Sequence, residues 1–302
     1  MLKSIKGNIM LIIAALIWGF AFVAQSIGVD KIAPCTFNGL RIMVGCVSLL
    51  PVIYFSDRAK KKKGTYHKTD LRVLILGGVV CGVFLALAST LQTYGLIYTM
   101  AGKAGFITAM YMIFVPVVSV FMGKKINIKT VICVVLAMLG MYFLCVKDGI
   151  GNINKGDIMV LICAVLFTGH IMAIDYFSPK CDGVKLSCMQ FFVAGVLNCI
   201  VMLAIDKPDW NLVLSCWLPI LYAGAMSCGI AYTLQIIGQK HTEPTIASLL
   251  MSLESVFATL AGWLILNEVL SAKEAIGCVL AFTAIILVQL PDGLCFKKIK
   301  NR

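Results

Sequence analysis

The chain has 302 residues, 60% of them hydrophobic and only 13% charged, with a mean hydropathy of +0.96. A soluble domain is about a quarter charged, so this composition excludes one and points to a polytopic membrane protein, in which spans rather than domains are counted. The net charge of +12 would suit a nucleic-acid binder only if it gathered on one folded face, and it does not.

Apolar runs of about 20 residues cross the ~30 Å hydrocarbon layer as helices. Ten occur, at residues 8–27, 34–55, 71–94, 102–122, 128–146, 157–177, 184–205, 212–237, 245–266 and 273–290. The first follows Lys3 and Lys6 like a signal peptide, but its apolar core is too long and more spans follow, so it reads as a retained helix. Span 2 carries Arg41, for which snorkelling to the outer headgroups or capping a neighbouring helix is favoured over substrate binding. Span 3 ends on Ser89, Thr90, Gln92, Thr93 and Tyr94, and span 4 holds Tyr111 and Pro116, the latter an expected kink. Span 6 contains His170, a proton-relay group or a satisfied core histidine, and near its end Asp175, an interfacial acid. Span 8 places Gly224, Cys228, Ala231, Tyr232 and Gln235 on one face. Tyr54, Trp210 and Trp217 sit at span ends, as interfacial aromatics do.

Span 9 holds one acid, Glu254, about 14 Å along from Thr245 at 1.5 Å per residue, near mid-bilayer. At 100° per residue, Ala247, Met251, Ala258 and Ala261 share its side, and Leu249, Val256, Leu260 and Trp263 lie opposite. Small residues mark helix contacts and large apolar ones face lipid, so Glu254 is expected to point inward. An intramembrane carboxyl is a functional candidate. A structural acid that pins helices together is the other reading, and the sequence leaves both open.

With the N-terminus cytoplasmic, ten spans return the C-terminus to the same side. Of the 26 Lys and Arg, 19 then fall on the cytoplasmic side and six on the other, as the positive-inside rule requires. The run "RAKKKKGTYHK" reads as a topology determinant touching anionic headgroups, not a nucleic-acid patch. The 13 cysteines include no CxxC pair and lie mostly within spans, where they act as small apolar residues. His67, His170 and His241 are too scattered for zinc. No metal and no cofactor is expected.

The chain repeats. "KGNIMLIIAALIWGFAFVA" at 6–24 aligns with "KGDIMVLICAVLFTGHIMA" at 155–173, an offset of 149, which also sets Arg41 on Gln190. "LQTYG" at 91–95 matches "LQIIG" at 234–238, an offset of 143, which sets Tyr111 on Glu254. Five spans per half is odd, so the halves are expected to be inverted, the usual build of secondary transporters, with the substrate site between them near the midplane. The expected organisation is a first five-helix repeat over 1–147, a second, inverted one over 155–291, and a basic cytoplasmic tail over 292–302.

Three stretches resemble the EamA-type members of the drug/metabolite transporter superfamily: "AALIWGFAFV" at 14–23, with that family's Trp-Gly-x-x-Phe pattern, "AGKAGFITAMYMIFVPVVSVFMG" at 101–123, and the closing pair of spans at 245–287. The resemblance covers nearly the whole chain. It implies ten helices around a central cavity and the movement of small solutes such as amino acids, metabolites or drugs. The sequence departs from the pattern at Ser255, where Pro is common, at Phe167, where the second repeat's Trp would stand, and at Lys124-Lys125 and Asn267-Glu268, where Gly-Glu often ends the fourth span.

The fold expected is thus all-α, ten transmembrane helices in two inverted repeats around a cavity. The function expected is secondary transport of a small solute across the plasma (inner) membrane by alternating access, from a monomer. Trp18, Gln92, Tyr94, Tyr111, Tyr232, Gln235 and Glu254 are the cavity candidates, though Trp18 also fits a core role. Glu254 and His170 are the candidates for coupling to a proton or another ion. The chain has no Walker loop, nucleophile elbow, zinc helix or dinucleotide fingerprint. An intramembrane enzyme on lipid-linked substrates and a non-transporting sensor or structural protein are the alternatives.

Overall fold

The computed structural model describes residues 2–64, 66, 69–99, 101–145, 153–265 and 271–290. The basic tail at 292–302, the end of the first repeat at 147, Asn267-Glu268 and His67 lie outside the described residues. All regular structure among the described residues is helical. Eight stretches are long and apolar enough to cross a membrane: Ser4–Val29, Pro34–Lys62, Leu71–Gly95, Ala104–Phe121, Lys155–Phe177, Gly183–Asp206, Trp217–Gln239 and Pro244–Ile265. The expected spans 5 and 10 correspond to shorter apolar helices, Ile128–Phe143 and Ala275–Gln289.

In chain order, the first half contains α1 (Leu2–Val29), α2 (Pro34–Lys62), α3 (Leu71–Gly95), α4 (Ala101–Ala109), α5 (Tyr111–Phe121) and α6 (Ile128–Cys145). The second contains α7 (Lys155–Phe177), α8 (Gly183–Val201), α9 (Trp210–Ser215), α10 (Trp217–Leu221), α11 (Thr233–Gln239), α12 (Pro244–Met251), α13 (Glu254–Ile265) and α14 (Ala272–Gln289). Wider π turns continue α8 over Met202–Asp206 and join α10 to α11 over Tyr222–Tyr232. Helix starts follow local chemistry. Asp70, Asp182 and Asp209 accept backbone N–H groups at the starts of α3, α8 and α9, and Asn154 with Asp157 forms a capping box at α7.

Two spans read as continuous are broken. Span 4 breaks at Met110, not at Pro116, which lies inside α5. A helical proline disturbs the turn ahead of it, and that turn begins just after the break. Span 9 breaks at Ser252–Leu253, immediately before Glu254. There Ser248 and Ser252 donate their hydroxyls to the carbonyls of Thr245 and Leu249, at 2.9 and 2.7 Å. Leu253 N–H and Ser255 N–H reach only three residues back, to Leu250 and Ser252. Hydroxyl back-bonding competes with the helical ladder.

Glycines set the helix spacing. A Cβ on Gly19 would lie 2.4 Å from Phe257 Cβ, so only a glycine lets α1 lie this close to α13. The α6 and α14 helices meet in the same way, at Gly140 against Ala281 and Gly277. The polar residues are inside: Asn38, Ser89, Thr93, Ser187 and Gln190 are buried, while Val47, Leu50, Phe55, Leu76, Leu87, Ile200 and Val279 are exposed. This is the surface a bilayer covers, and the protein is a multi-pass membrane protein.

Candidate functional site

A cavity of about 40 Å³ is lined by residues of both halves. The α1 helix supplies Trp18, Phe22 and Gln25, α2 supplies Arg41, α3 Gln92, α4 Thr108 and α5 Tyr111. From the other half come Phe167, His170 and Ile171 of α7, Ser227 and Tyr232 of the π turns, Gln235 of α11, Met251 of α12 and Glu254 of α13. Both broken spans present the first residue of their second segment here, Tyr111 and Glu254. The Tyr111 hydroxyl donates to Glu254 Oε1 at 3.0 Å, and both side chains are buried.

Arg41 is held by a buried network behind the lining. Asn38 donates to the Ser89 carbonyl at 3.0 Å and accepts from Thr93 at 3.2 Å. It also accepts from Arg41 Nε at 2.7 Å, while the guanidinium carbon lies 5.9 Å from the Phe37 ring centroid. Arg41 is 3% exposed. The expectation that it snorkels outward is therefore corrected: Asn38 and Phe37 turn it into the protein. Gln92 donates to Thr108 at 3.1 Å.

Trp18 meets Tyr232 edge to face with centroids 4.8 Å apart, and His170 lies 5.9 Å from Tyr232 and 6.3 Å from Phe167. His170 Nε2 is 3.0 Å from Gln190 Oε1. Four lining residues carry a buried polar atom with no protein partner: Trp18 Nε1, Gln25 Oε1, His170 Nδ1 and Gln235 Oε1. Buried polar atoms are ordinarily bonded, and these four line the same cavity.

Of the sequence candidates, Trp18, Gln92, Tyr111, His170, Tyr232, Gln235 and Glu254 are brought together here. Tyr94 is not. It is half-buried, with its hydroxyl 3.5 Å from Cys35 Sγ, because two helical steps past Gln92 turn it to the other side of α3. Phe22, Gln25, Arg41, Thr108, Phe167, Ile171, Ser227 and Met251 complete the lining and were not among the candidates. Leu249 and Val256, expected to face lipid, are fully buried, whereas Trp263 is 49% exposed. The break between α12 and α13 decouples the two segments, and the neighbouring helices enclose both. Among the described residues, no group of three His, Cys, Asp or Glu could hold a metal ion, and no disulfide forms.

The EamA-like transporter family matches the chain twice, over residues 5–146 and 154–290. An uncharacterized transporter of Archaeoglobus fulgidus is 31% identical over 291 residues, covering 95% of this chain and 87% of that protein. The uncharacterized transporter YoaV of Bacillus subtilis is 24% identical, covering 94% and 96%. A crystal structure of a protein 18% identical superposes with a TM-score of 0.74 over 94% of this chain and 96% of that one, a likeness of fold.

Proposed function

The chain belongs to the EamA-like transporter family, and on that premise we propose that it is a secondary transporter carrying a small solute through the central cavity by alternating access. We place it in the plasma (inner) membrane as a monomer with cytoplasmic termini, built from two inverted halves. Glu254 binds a cationic group of the solute or couples its movement to a proton or another ion, with His170 as the second candidate for coupling.

The observation that carries this reading is an exchange of contacts between the two halves. Thr99 of the first half donates to Asp157 of the second at 2.8 Å, and Thr242 donates to Asn8 at 3.0 Å. The two pairs are one contact written twice, since the offsets of 149 and 143 carry Asn8 onto Asp157 and Thr99 onto Thr242. Gly7 touches the Gly238 carbonyl as Gly156 touches that of Gly95, again copies at those offsets. Asp206 accepts from Thr36 N–H and hydroxyl at 2.7 and 3.0 Å, and its counterpart Asp57 pairs with Lys185, the counterpart of Thr36, at 2.8 Å. Gly82 against Val193 and the Gln190 carbonyl mirrors Gly224 against Val44 and the Arg41 carbonyl. Here the offset is 142, rising to 143 at Gln92 and Gln235. The extra residue of the second half lies in the π turns, which accommodate wider backbone spacing.

Such reciprocal contacts support two halves that rock against one another, releasing one end of the cavity while holding the other. Solute flux into vesicles reconstituted with the protein, compared with Glu254→Gln at several pH values, tests the proposal. Absence of solute flux in the wild type sinks transport itself. Unchanged flux and pH dependence in the variant sinks the role of Glu254.

A further inference from the structure

Arg41 and Glu254 line the same cavity from different halves, and each is buried, at 3% and 6% exposed. Neither takes part in an ion pair among the described residues. The pairs found there join Lys60 to Asp182, Lys124 to Asp175 and Lys185 to Asp57, all away from the cavity lining. Among the described residues Glu254 has only the Tyr111 hydroxyl. Arg41 spends its Nε on the neutral Asn38 and sets its guanidinium 5.9 Å from the Phe37 ring centroid, leaving its terminal nitrogens without a bonded acceptor among the described residues.

A buried charge without an opposite charge is costly, and two such charges of opposite sign in one cavity are repaid together by a guest that carries both. We propose that the solute is amphoteric, with an anionic group held by the Arg41 guanidinium and a cationic group held by the Glu254 carboxylate. This rests on the reading of the cavity as the solute site. The guanidinium offers a two-pronged face suited to a carboxylate or phosphate. Asn38 fixes the direction of that face. The ring walls of Trp18 and Tyr232 take the apolar part of the solute, and the unpartnered atoms of Gln25 and Gln235 take its remaining polar groups. A singly charged compound leaves Arg41 or Glu254 buried and unanswered, so the site discriminates by what it leaves unpaired.

The test is a thermal-shift screen of the purified full chain against small compounds sorted into zwitterions, cations, anions and neutral molecules. The screen includes amines and acids with the same skeleton as each zwitterion, for example leucine with isoamylamine and 4-methylpentanoate. Stabilising compounds are expected among the zwitterions. Arg41→Gln is expected to weaken the tightest of them by about 10- to 100-fold, the loss of one charge-assisted hydrogen-bonding group. If Arg41→Gln does not fold, Arg41→Lys keeps the charge without the fork and is expected to weaken binding by a smaller factor. A tightest ligand that carries one charge or none, a screen without a zwitterion among its hits, or full affinity in a folded Arg41 variant overturns the proposal. A singly charged solute that the protein carries across vesicles overturns the inference and leaves transport standing. A zwitterion bound by Arg41 but never moved supports the inference and sinks transport.

Discussion

Replacing Glu254 by Gln separates a carboxylate that meets solute from one that only holds helices. The side chains have the same shape, and the Tyr111 hydroxyl, 3.0 Å from Glu254 Oε1, can donate equally to an amide oxygen. What the fold loses is the charge-assisted part of one interhelical hydrogen bond, about 1 kcal/mol in a membrane setting. It also no longer buries an unpaired charge, which offsets that loss. The net change in stability is expected to stay within about 1 kcal/mol, a shift of a few degrees in Tm. Transport answers differently. If Glu254 pairs with a cationic group of the solute, the variant loses a charged hydrogen bond of about 1.5–3 kcal/mol, roughly a 10- to 100-fold fall in flux at low solute concentration. The assay is initial-rate uptake into reconstituted vesicles, normalised to folded protein by size-exclusion profile, with Tm measured on the same preparation. A variant whose flux per folded molecule stays within about twofold of wild type, with the same pH dependence, would refute the reasoning and return Glu254 to a structural role.

Other outcomes follow from the contacts between halves. A Cβ on Gly156 would lie 2.6 Å from the Gly95 carbonyl oxygen, so Gly156→Ala should cost about 1–3 kcal/mol by overpacking. Gly105→Ala, whose Cβ meets nothing nearer than 3.5 Å, should be tolerated in the same thermal unfolding series. Lys185→Asp sets two acids together where a 2.8 Å pair with Asp57 stood and should lower Tm, with partial recovery in the Asp57→Lys, Lys185→Asp double variant. Asp182 gives a pH dependence. Burial raises its pKa, but the bonds from Lys60 and from the N–H groups of Lys185 and Val184 lower it further, leaving it below its ordinary value. A depressed folded-state pKa adds stability above the unfolded pKa of about 4 that is lost as pH falls through the folded value. Wild type, but not Asp182→Asn, should therefore lose that increment on acidification below about pH 4, read by thermal unfolding.

The apolar runs were legible because a bilayer demands them. The inward turn of Glu254 was legible because alanines share its side. The radial direction of a long side chain was not, and Arg41 was misread for that reason. Its signal was present: Asn38 and Gly45 lie three and four residues from it on the same face of α2, a polar and small stripe that suits the protein interior and not lipid. Tyr94 failed on the helical period, since it cannot share a face with Gln92. The breaks ahead of Tyr111 and Glu254 arise from hydroxyl back-bonding and a proline acting on the turn before it. Those local competitions leave the hydropathy of the span unchanged. Leu249 and Val256 were assigned to lipid because a helical wheel does not show that neighbouring helices enclose both sides of the span.

The central claim is that the cavity between Arg41 and Glu254 carries solute across the membrane. Counterflow tests it most directly: vesicles containing the purified protein are loaded with an unlabelled compound from the binding screen, and labelled compound is added outside. The account predicts saturable uptake that transiently exceeds equilibrium, is absent from protein-free vesicles and is accelerated by solute on the far side. Flux that rises linearly with concentration, or none above protein-free vesicles for a compound that binds the cavity, would contradict it.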